Sequence, residues 1–422
     1  MYDAIIIGAR CGGSPTAMLL ARKGYKVLLL DKANFPSDTM STHYIHQTGV
    51  ARLNRWGLLR QIHESNCPPI NRYTIDFGSF TLAGSPPPAD GILNGYCPRR
   101  TILDKILIDA ARSAGAEVRE GFAVQELLSN NGTVTGIRGT TGHKTSILET
   151  ARIVIGADGL GSLVARTVKA PEYYSKPSLE CAYYTYWSGL PIDGFEIYRR
   201  NHRMIFASPT NDGLACIGVV WTHREFDAYR SDIENNYMNT FNIAPAFGDR
   251  VRNARREARF AGTAHVPNLF RKPYGDGWAL VGDAGYHKDP TTASGISDAF
   301  RDAELLAEAI DAGFTGRLPL LKAMAQYEQK RNDAALPMYE FYTTHVAPLT
   351  PVRPEMKQLL LSLCGNQQEI DRFCGAMVGT VPIPEFFSVP NMLKTMGARR
   401  FIKGMVERLM TRTEAASAGV TR

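Results

Sequence analysis

The sequence predicts an α/β protein. A parallel-sheet domain is assembled from residues 1–72, 96–172 and 266–345. A β-rich segment, 73–95 with 173–265, interrupts it, and 346–422 form a helical tail. Three observations predict this. Short apolar runs near residues 2–8, 26–31, 152–159 and 277–285 each end in glycine or an acid, as strands covered on both faces do. Between them, 13–23 and 101–115 repeat apolar residues at helical spacing. From 173 to 222 the texture changes to Tyr, Trp, Ile and Val broken by Pro and Gly.

The elements follow in order. Residues 2–8 read as a strand, 13–23 as a helix ending near Gly24, and KVLLLD, 26–31, as a second buried strand. The helix at 101–115 stops at Gly115, a C-terminal cap. RIVIGADG, 152–159, is a strand running into a polar turn. MIFASPTNDGLACIGVVW reads as two strands joined through Asn211-Asp212-Gly213, a hairpin signal. Residues 240–264 read as mostly polar and helical, and GWALVGDAG, 277–285, returns to the buried-strand pattern. No internal repeat or low-complexity tract is present.

Composition narrows the function classes. The 422 residues are 44% hydrophobic and 21% charged, an ordinary globular balance. No run reaches the 18 or so apolar residues that a membrane span needs. The start, MYDAIIIGA, has no basic region or cleavage site, so a cytoplasmic protein is expected. Seven cysteines without Cys-x-x-Cys predict buried hydrophobes rather than a disulfide framework, and nine histidines without metal spacing predict no metal. The net charge is +7. The clusters Arg199, Arg200, His202, Arg203 and Arg252, Arg255, Arg256, Arg259 are either a solvated basic face or a surface for an anionic partner or membrane. No nucleic-acid motif accompanies them. The sequence leaves the oligomeric state open.

The strand-turn-helix at 2–23 has the order of a dinucleotide site. Gly8, Arg10 and Gly13 stand where three glycines are usual, with Ala9, Cys11 and Gly12 completing the turn. Gly8 allows a tight turn and Gly13 a close helix-strand approach. The helix then points its free N–H groups and positive end at a phosphate. Asp31, followed by Lys32, ends the second strand, where a carboxylate accepts hydrogen bonds from ribose hydroxyls. Arg10 is the departure: it donates to the phosphates, lies along the cofactor's sugar chain, or points to solvent. Gly12 is expected to supply the backbone freedom lost at position 10.

Two later motifs widen the resemblance. GADGLGSLVAR, 156–166, resembles Gly-Ala-Asp-Gly-x-x-Ser-x-Val-Arg, with an extra alanine before Arg166. GDAGYHKDPTTASGISDAFRDAELLAEAI, 282–310, resembles Gly-Asp-Ala-x-His, Pro, Gly-x-Asn and a late Asp, with Tyr286 in place of the His and Ser297 in place of the Asn. Over roughly residues 1–345 the chain resembles the flavoprotein monooxygenases of the p-hydroxybenzoate hydroxylase type, whose fold halogenases and geranylgeranyl reductases share. The resemblance implies a Rossmann-like FAD-binding domain of the GR2 type, interrupted by a β-sheet substrate domain. It implies FAD contacts at Asp158, Gly159, Gly282, Asp283, Pro290, Gly295, Ile296 and Ser297. PRRTILD implies one at Arg100, otherwise a capping or surface residue. Ser41, Thr42 and His43 are either flavin contacts or an ordinary polar loop.

The chemistry implied is an NAD(P)H-dependent oxidation. NADH or NADPH reduces FAD, and oxygen then forms a flavin C4a-hydroperoxide that hydroxylates a small aromatic or apolar substrate. A single glycine turn and the lack of a redox Cys pair argue against a second nicotinamide domain and against disulfide reductases. Tyr183, Tyr186, Trp187, Met204 and Phe206 are expected to line the substrate pocket, although alternation along a strand sends some of them into plain core. The resemblance places Pro290 and Thr291 at the flavin edge. Two enzymatic alternatives stay open, besides a flavin-binding module without activity. FASPTNDG matches a halogenase segment except at Asn211, and YWSGLP, 186–191, resembles loosely a segment of geranylgeranyl reductases.

Overall fold

Four apolar runs of the sequence, joined by the short charged strand Glu117–Arg119, pair as parallel strands in the computed structural model, which describes residues 1–142 and 146–419, with side chains through 408. Their order across the sheet is Trp278–Leu280, Ser146–Gly156, Tyr2–Ile7, Val27–Leu30, Glu117–Arg119. Ile5, Ile6, Leu28, Leu29, Val154 and Ile155 have no exposed surface, which is why these runs show no polar alternation. Each such side chain contributes about 1.5–3 kcal/mol when it leaves water. The helix Gly13–Arg22 packs against the helices Arg100–Ser113 and Gly295–Phe314. The helix Arg100–Ser113 is followed by Gly115 at a positive φ of 100°, the expected stop. A hairpin that the sequence did not announce, Ala123–Asn130 with Thr133–Thr140, leads into Ser146–Gly156.

These elements belong to the first of two units, Met1–Cys67, Tyr96–Ser178 and Val266–Tyr339. It also holds a small sheet of Glu172–Lys176, Asn268–Arg271 and Tyr286–His287.

The second unit comprises Pro68–Gly95, Leu179–His265 and Glu340–Arg422, which takes in the tail. Its sheet runs Arg255–Arg256, Glu180–Ser188, Ala215–Thr222, Arg203–Pro209, Phe195–Arg200, Tyr73–Asp76, Thr81–Gly84. Arg203–Pro209 and Ala215–Thr222 are the expected hairpin, joined by a short turn at Asn211–Gly213. Residues 240–264 depart from the helical expectation. The helices Ile233–Thr240 and Pro245–Arg252 give way to edge strands at Arg255–Arg256 and Ala261–Thr263. Short edge strands carry charge and little alternation, so their polarity mimics a solvated helix.

The two helices cover one face of this sheet. Tyr237, Phe241, Phe247 and Val251 pack on Cys181, Tyr183, Trp187, Ile205, Ala207, Ile217, Val219 and Trp221. In these three strands odd-numbered residues meet the helices and even-numbered ones face away. The tail adds the helices Pro354–Leu363, Gln367–Val378 and Val389–Gly419, the last interrupted at Gly397.

Candidate cofactor site

The three glycine motifs and Asp31 meet at the carboxyl ends of the parallel strands. Gly8 follows Tyr2–Ile7, Asp31 follows Val27–Leu30, Ala157 follows Ser146–Gly156, and Gly282 lies just beyond Trp278–Leu280. Tyr2–Ile7 sits between Val27–Leu30 and Ser146–Gly156. The strand order therefore reverses beside it, and such a switch point opens a crevice for a ligand.

Two glycines of the turn are sterically required. Gly8 has φ +102°, and a Cβ there would lie 2.4 Å from the Ala157 carbonyl oxygen. A Cβ on Gly13 would fall 1.8 Å from the Gly8 carbonyl oxygen. Gly12 does not supply the freedom expected of it: its φ is −89°, and a Cβ would meet its nearest neighbour at 3.5 Å. Asp31 is held by the turn. The Ala9 N–H donates to its Oδ2 at 2.8 Å and the Ala33 N–H to its Oδ1 at 2.8 Å. Lys32, beside it, is exposed.

Arg10 is held by side chains of the loop and helix beside the turn. Its Nη1 donates to Asp104 Oδ2 at 2.5 Å and its Nη2 to Ser37 Oγ at 2.9 Å. The guanidinium lies 5.2 Å from the Phe35 ring centroid. Asp104 is fully buried and also accepts from Arg100, at 2.9–3.1 Å. Burial works against the Arg100 charge, while Cys11, Asp104 and Asp283 favour it, and its pKa ends raised. The Cys11 Sγ lies 3.5 Å from Asp104 Oδ1, and burial pushes its thiol up. Two guanidiniums thus share one carboxylate, and the excess positive charge stands beside the turn, where a diphosphate gains from it. Asp104 escaped the sequence reading, although its spacing from Arg100 is the i,i+4 of a helical ion pair.

In the second motif, the Leu163 N–H donates to Asp158 Oδ2 at 2.6 Å, while Oδ1 is buried without a partner. Gly159 carries φ +76°, with nothing within 4 Å of a Cβ. In the third, Asp283 is exposed within the otherwise buried turn Gly282–Ala284. Two arginines brace that turn from behind. Arg271 Nη1 donates to the Leu160 and Ala284 carbonyls at 3.2 and 3.1 Å, and Arg331 Nη1 to Gly285 O at 3.1 Å.

Gly295 is the first residue of the helix Gly295–Phe314, and a Cβ there meets nothing within 4 Å. Ile296 and Ser297 follow, both buried. Ser297 Oγ accepts from the His46 N–H at 3.1 Å, and His46 Nε2 lies 3.0 Å from Thr292 O. His46 Nδ1 is buried without a partner. Burial lowers His46 to about 4, and burial with Arg100 lowers His43 to about 3, so both rings are neutral. Ser41 Oγ accepts from the His43 N–H at 3.0 Å, and the Thr42 carbonyl lies 3.8 Å from Cys97 Sγ. Pro290 and Thr291 form a short turn capped by Asp289, which accepts from the Thr291 N–H at 3.0 Å.

A buried ionic cluster lies behind this loop. Lys288 Nζ is 2.6 Å from Asp298 Oδ2, Arg301 Nη1 is 2.8 Å from Asp298 Oδ1, and Arg301 Nη2 is 2.7 Å from Asp302 Oδ1. The Tyr286 hydroxyl donates to Asp298. Burial alone would raise the Asp298 carboxyl, but Lys288 and Arg301 outweigh it and hold the pKa at about 2. The i,i+3 spacing of Asp298 and Arg301 was a visible signal, whereas Lys288 offered none.

On the second unit's sheet, Tyr183 and Trp187 are core. The Tyr183 ring lies 5.5 Å from Trp221, and Trp187 Nε1 donates to the Tyr237 hydroxyl at 3.2 Å, under the covering helices. Tyr183 and Trp187, both expected to line the pocket, lie in this core instead. Tyr186, Met204 and Phe206 lie on the opposite face, with Ala182, Tyr184, Ile197, Leu214, Cys216 and Val220. Phe206 covers Gly218 there, where a Cβ would come within 2.1 Å of its ring.

The first unit's donor set fits FAD: a turn closed to any Cβ at Gly13, a fixed Asp31, a cationic pair, an unpartnered Asp158 oxygen and an open helix N-terminus at Gly295. The comparisons with known proteins agree. The chain is 28% identical over 343 residues to the digeranylgeranylglycerophospholipid reductase of Methanothrix thermoacetophila, covering 78% of this chain and 82% of that protein. Its fold is similar to that of the myxobacterial chondrochloren halogenase, with a TM-score of 0.77 at 20% identity, covering 97% of each chain. It is also similar to that of pqsL, a probable FAD-dependent monooxygenase of Pseudomonas aeruginosa, with a TM-score of 0.68 at 17% identity, covering 90% of this chain and 100% of that one. A family model described as an FAD binding domain matches residues 1–341, so the chain belongs to that family and is an FAD-dependent oxidoreductase.

Proposed function

We propose that the protein is an NAD(P)H-dependent flavoprotein reductase that adds hydrogen across double bonds of an apolar, isoprenoid-like chain. The observation that carries this reading is the extent of the relationship to digeranylgeranylglycerophospholipid reductases. At 78% of this chain the match takes in more than the first unit can supply, so it includes the inserted sheet. The even-numbered face of that sheet is apolar, with Tyr184, Tyr186, Met204, Phe206 and Val220 buried or half-buried and Leu349 packed against Met204 and Val220, a lining suited to a hydrocarbon chain.

FAD, when bound, accepts a hydride from the nicotinamide and supplies the reducing equivalents to the substrate. The chain's own residues do the rest. The Gly8–Gly13 turn and the helix behind it present N–H groups to the pyrophosphate. Arg10 and Arg100, tied together by Asp104, offset its charge. Asp31 accepts from the ribose and Asp283 from the ribityl chain. The N-terminus at Gly295–Ser297 favours negative charge on the reduced ring. Ser41, Thr42, His43, Pro290 and Thr291 would contact the flavin when it is bound.

A second reading is hydroxylation with O2, which the set of three motifs favours. Product masses separate the two. With NADPH or NADH and a geranylgeranyl-bearing lipid, reduction adds two hydrogens per double bond in air and under nitrogen alike. Addition of one oxygen, in air only, would replace the reductase reading with the oxygenase.

A further inference from the structure

The last helix carries a surface that the reaction does not use. Beyond the break at Gly397, Gly404 is buried against Glu355 of the helix Pro354–Leu363, where a Cβ would lie 2.9 Å from the Glu355 Cα. Arg408 pairs with Glu355 at 3.3 Å and the Arg400 Nη1 donates to Ser362 Oγ at 3.1 Å, so this side of the helix is fastened down. The opposite side is open and apolar: Ile402 is 60% exposed, Val406 47% and Met405 39%. Their spacings of three and four residues put them on one stripe. Arg399 and Lys403, also four apart and both exposed, run alongside it. From Val389 to Arg408 the side chains carry five cations, Lys394, Arg399, Arg400, Lys403 and Arg408, against the single anion Glu407.

We infer that this stripe docks on an anionic lipid bilayer. Ile402, Met405 and Val406 enter the headgroup boundary, and Arg399 and Lys403 meet lipid phosphates. An exposed apolar stripe bordered by Arg and Lys is the arrangement of a helix lying in a membrane interface. Each cation near an anionic leaflet adds to the attraction. A second copy of the chain fits less well, because pairing the stripes would bring two sets of arginines and lysines together. Among the described residues no helix is long and apolar enough to cross a membrane, so the contact is peripheral. The inference does not depend on which reaction the flavin performs.

Vesicle flotation of the full chain tests it. Vesicles of phosphatidylcholine with phosphatidylglycerol should carry the protein, vesicles of phosphatidylcholine alone should not, and high salt should release it. Ile402→Asp with Val406→Asp, and separately Arg399→Glu with Lys403→Glu, should each weaken binding about tenfold or more. All four side chains are at the surface, so FAD content and thermal unfolding report whether the variants remain folded. Failure of the wild-type chain to bind the anionic vesicles would overturn the inference, as would equal binding by either variant. A solution dimer that Ile402→Asp dissociates, with no vesicle binding, would assign the stripe to a second copy instead.

Discussion

At Gly13 a single methyl group decides whether the cofactor turn can close. Gly13→Ala places a carbon 1.8 Å from the Gly8 carbonyl, and Gly12→Ala places one at an ordinary 3.5 Å. The first variant should be purified without FAD and the second with near-normal occupancy, as flavin absorbance against protein will read. Asp104→Ala leaves Arg100 buried without its carboxylate and should destabilise the protein by about 3–5 kcal/mol in urea unfolding. Arg10→Gly removes only the partly exposed partner of that carboxylate and should weaken FAD binding with a smaller loss of stability. His43 and His46 set a pH limit. Both are held neutral in the fold, while the unfolded chain takes up protons near pH 6.5. Stability is therefore complete above pH 6.5 and falls below it, by roughly 2 kcal/mol per histidine at pH 5. Urea midpoints between pH 7.5 and 5 will show the slope, and His46→Gln should reduce it. The glycines at 8 and 13 were legible because the turn is local. The course of Arg10 was not, because Asp104 lies 94 residues away in the chain.

Elements rather than single residues explain why the cofactor loop keeps its shape. The helix Gly295–Phe314 begins at an open N-terminus, and its Asp298 is tied both to Lys288 in the loop before it and to Arg301 one turn on. Lys288→Met should cost about 3 kcal/mol by thermal or urea unfolding, because Asp298 loses a buried partner. Adding Asp298→Leu should recover part of that loss. Neither the buried lysine nor the neutral histidines announced themselves, since burial of a charge depends on tertiary neighbours. The sheet of the second unit shows a different limit. The sequence identified the hairpin around Asn211-Asp212-Gly213 but not which face of its strands meets the helices. Register supplies that answer: Tyr183 opposes Val219 and turns to the helices, whereas Tyr186 opposes Cys216 and turns away. Edge strands at 255–263 were misread because their charges satisfy a helical pattern equally well.

At the scale of the molecule, the chain devotes one unit to holding FAD and a second to an apolar sheet face. The first was legible because strand, glycine turn, helix and acid recur in a fixed order at the ends of parallel strands. The second was not, because an apolar sheet face carries no motif of fixed spacing. The distinction between reduction and oxygenation therefore belongs to the reaction itself. The most direct measurement reduces the FAD enzyme with NADPH under nitrogen, mixes it rapidly with a geranylgeranyl-bearing lipid, and follows the return of oxidised flavin absorbance. The reductase account predicts reoxidation without oxygen, at a rate set by the lipid, with a product richer by two hydrogens. Flavin that stays reduced until air is admitted, and then yields a product carrying one added oxygen, would contradict it.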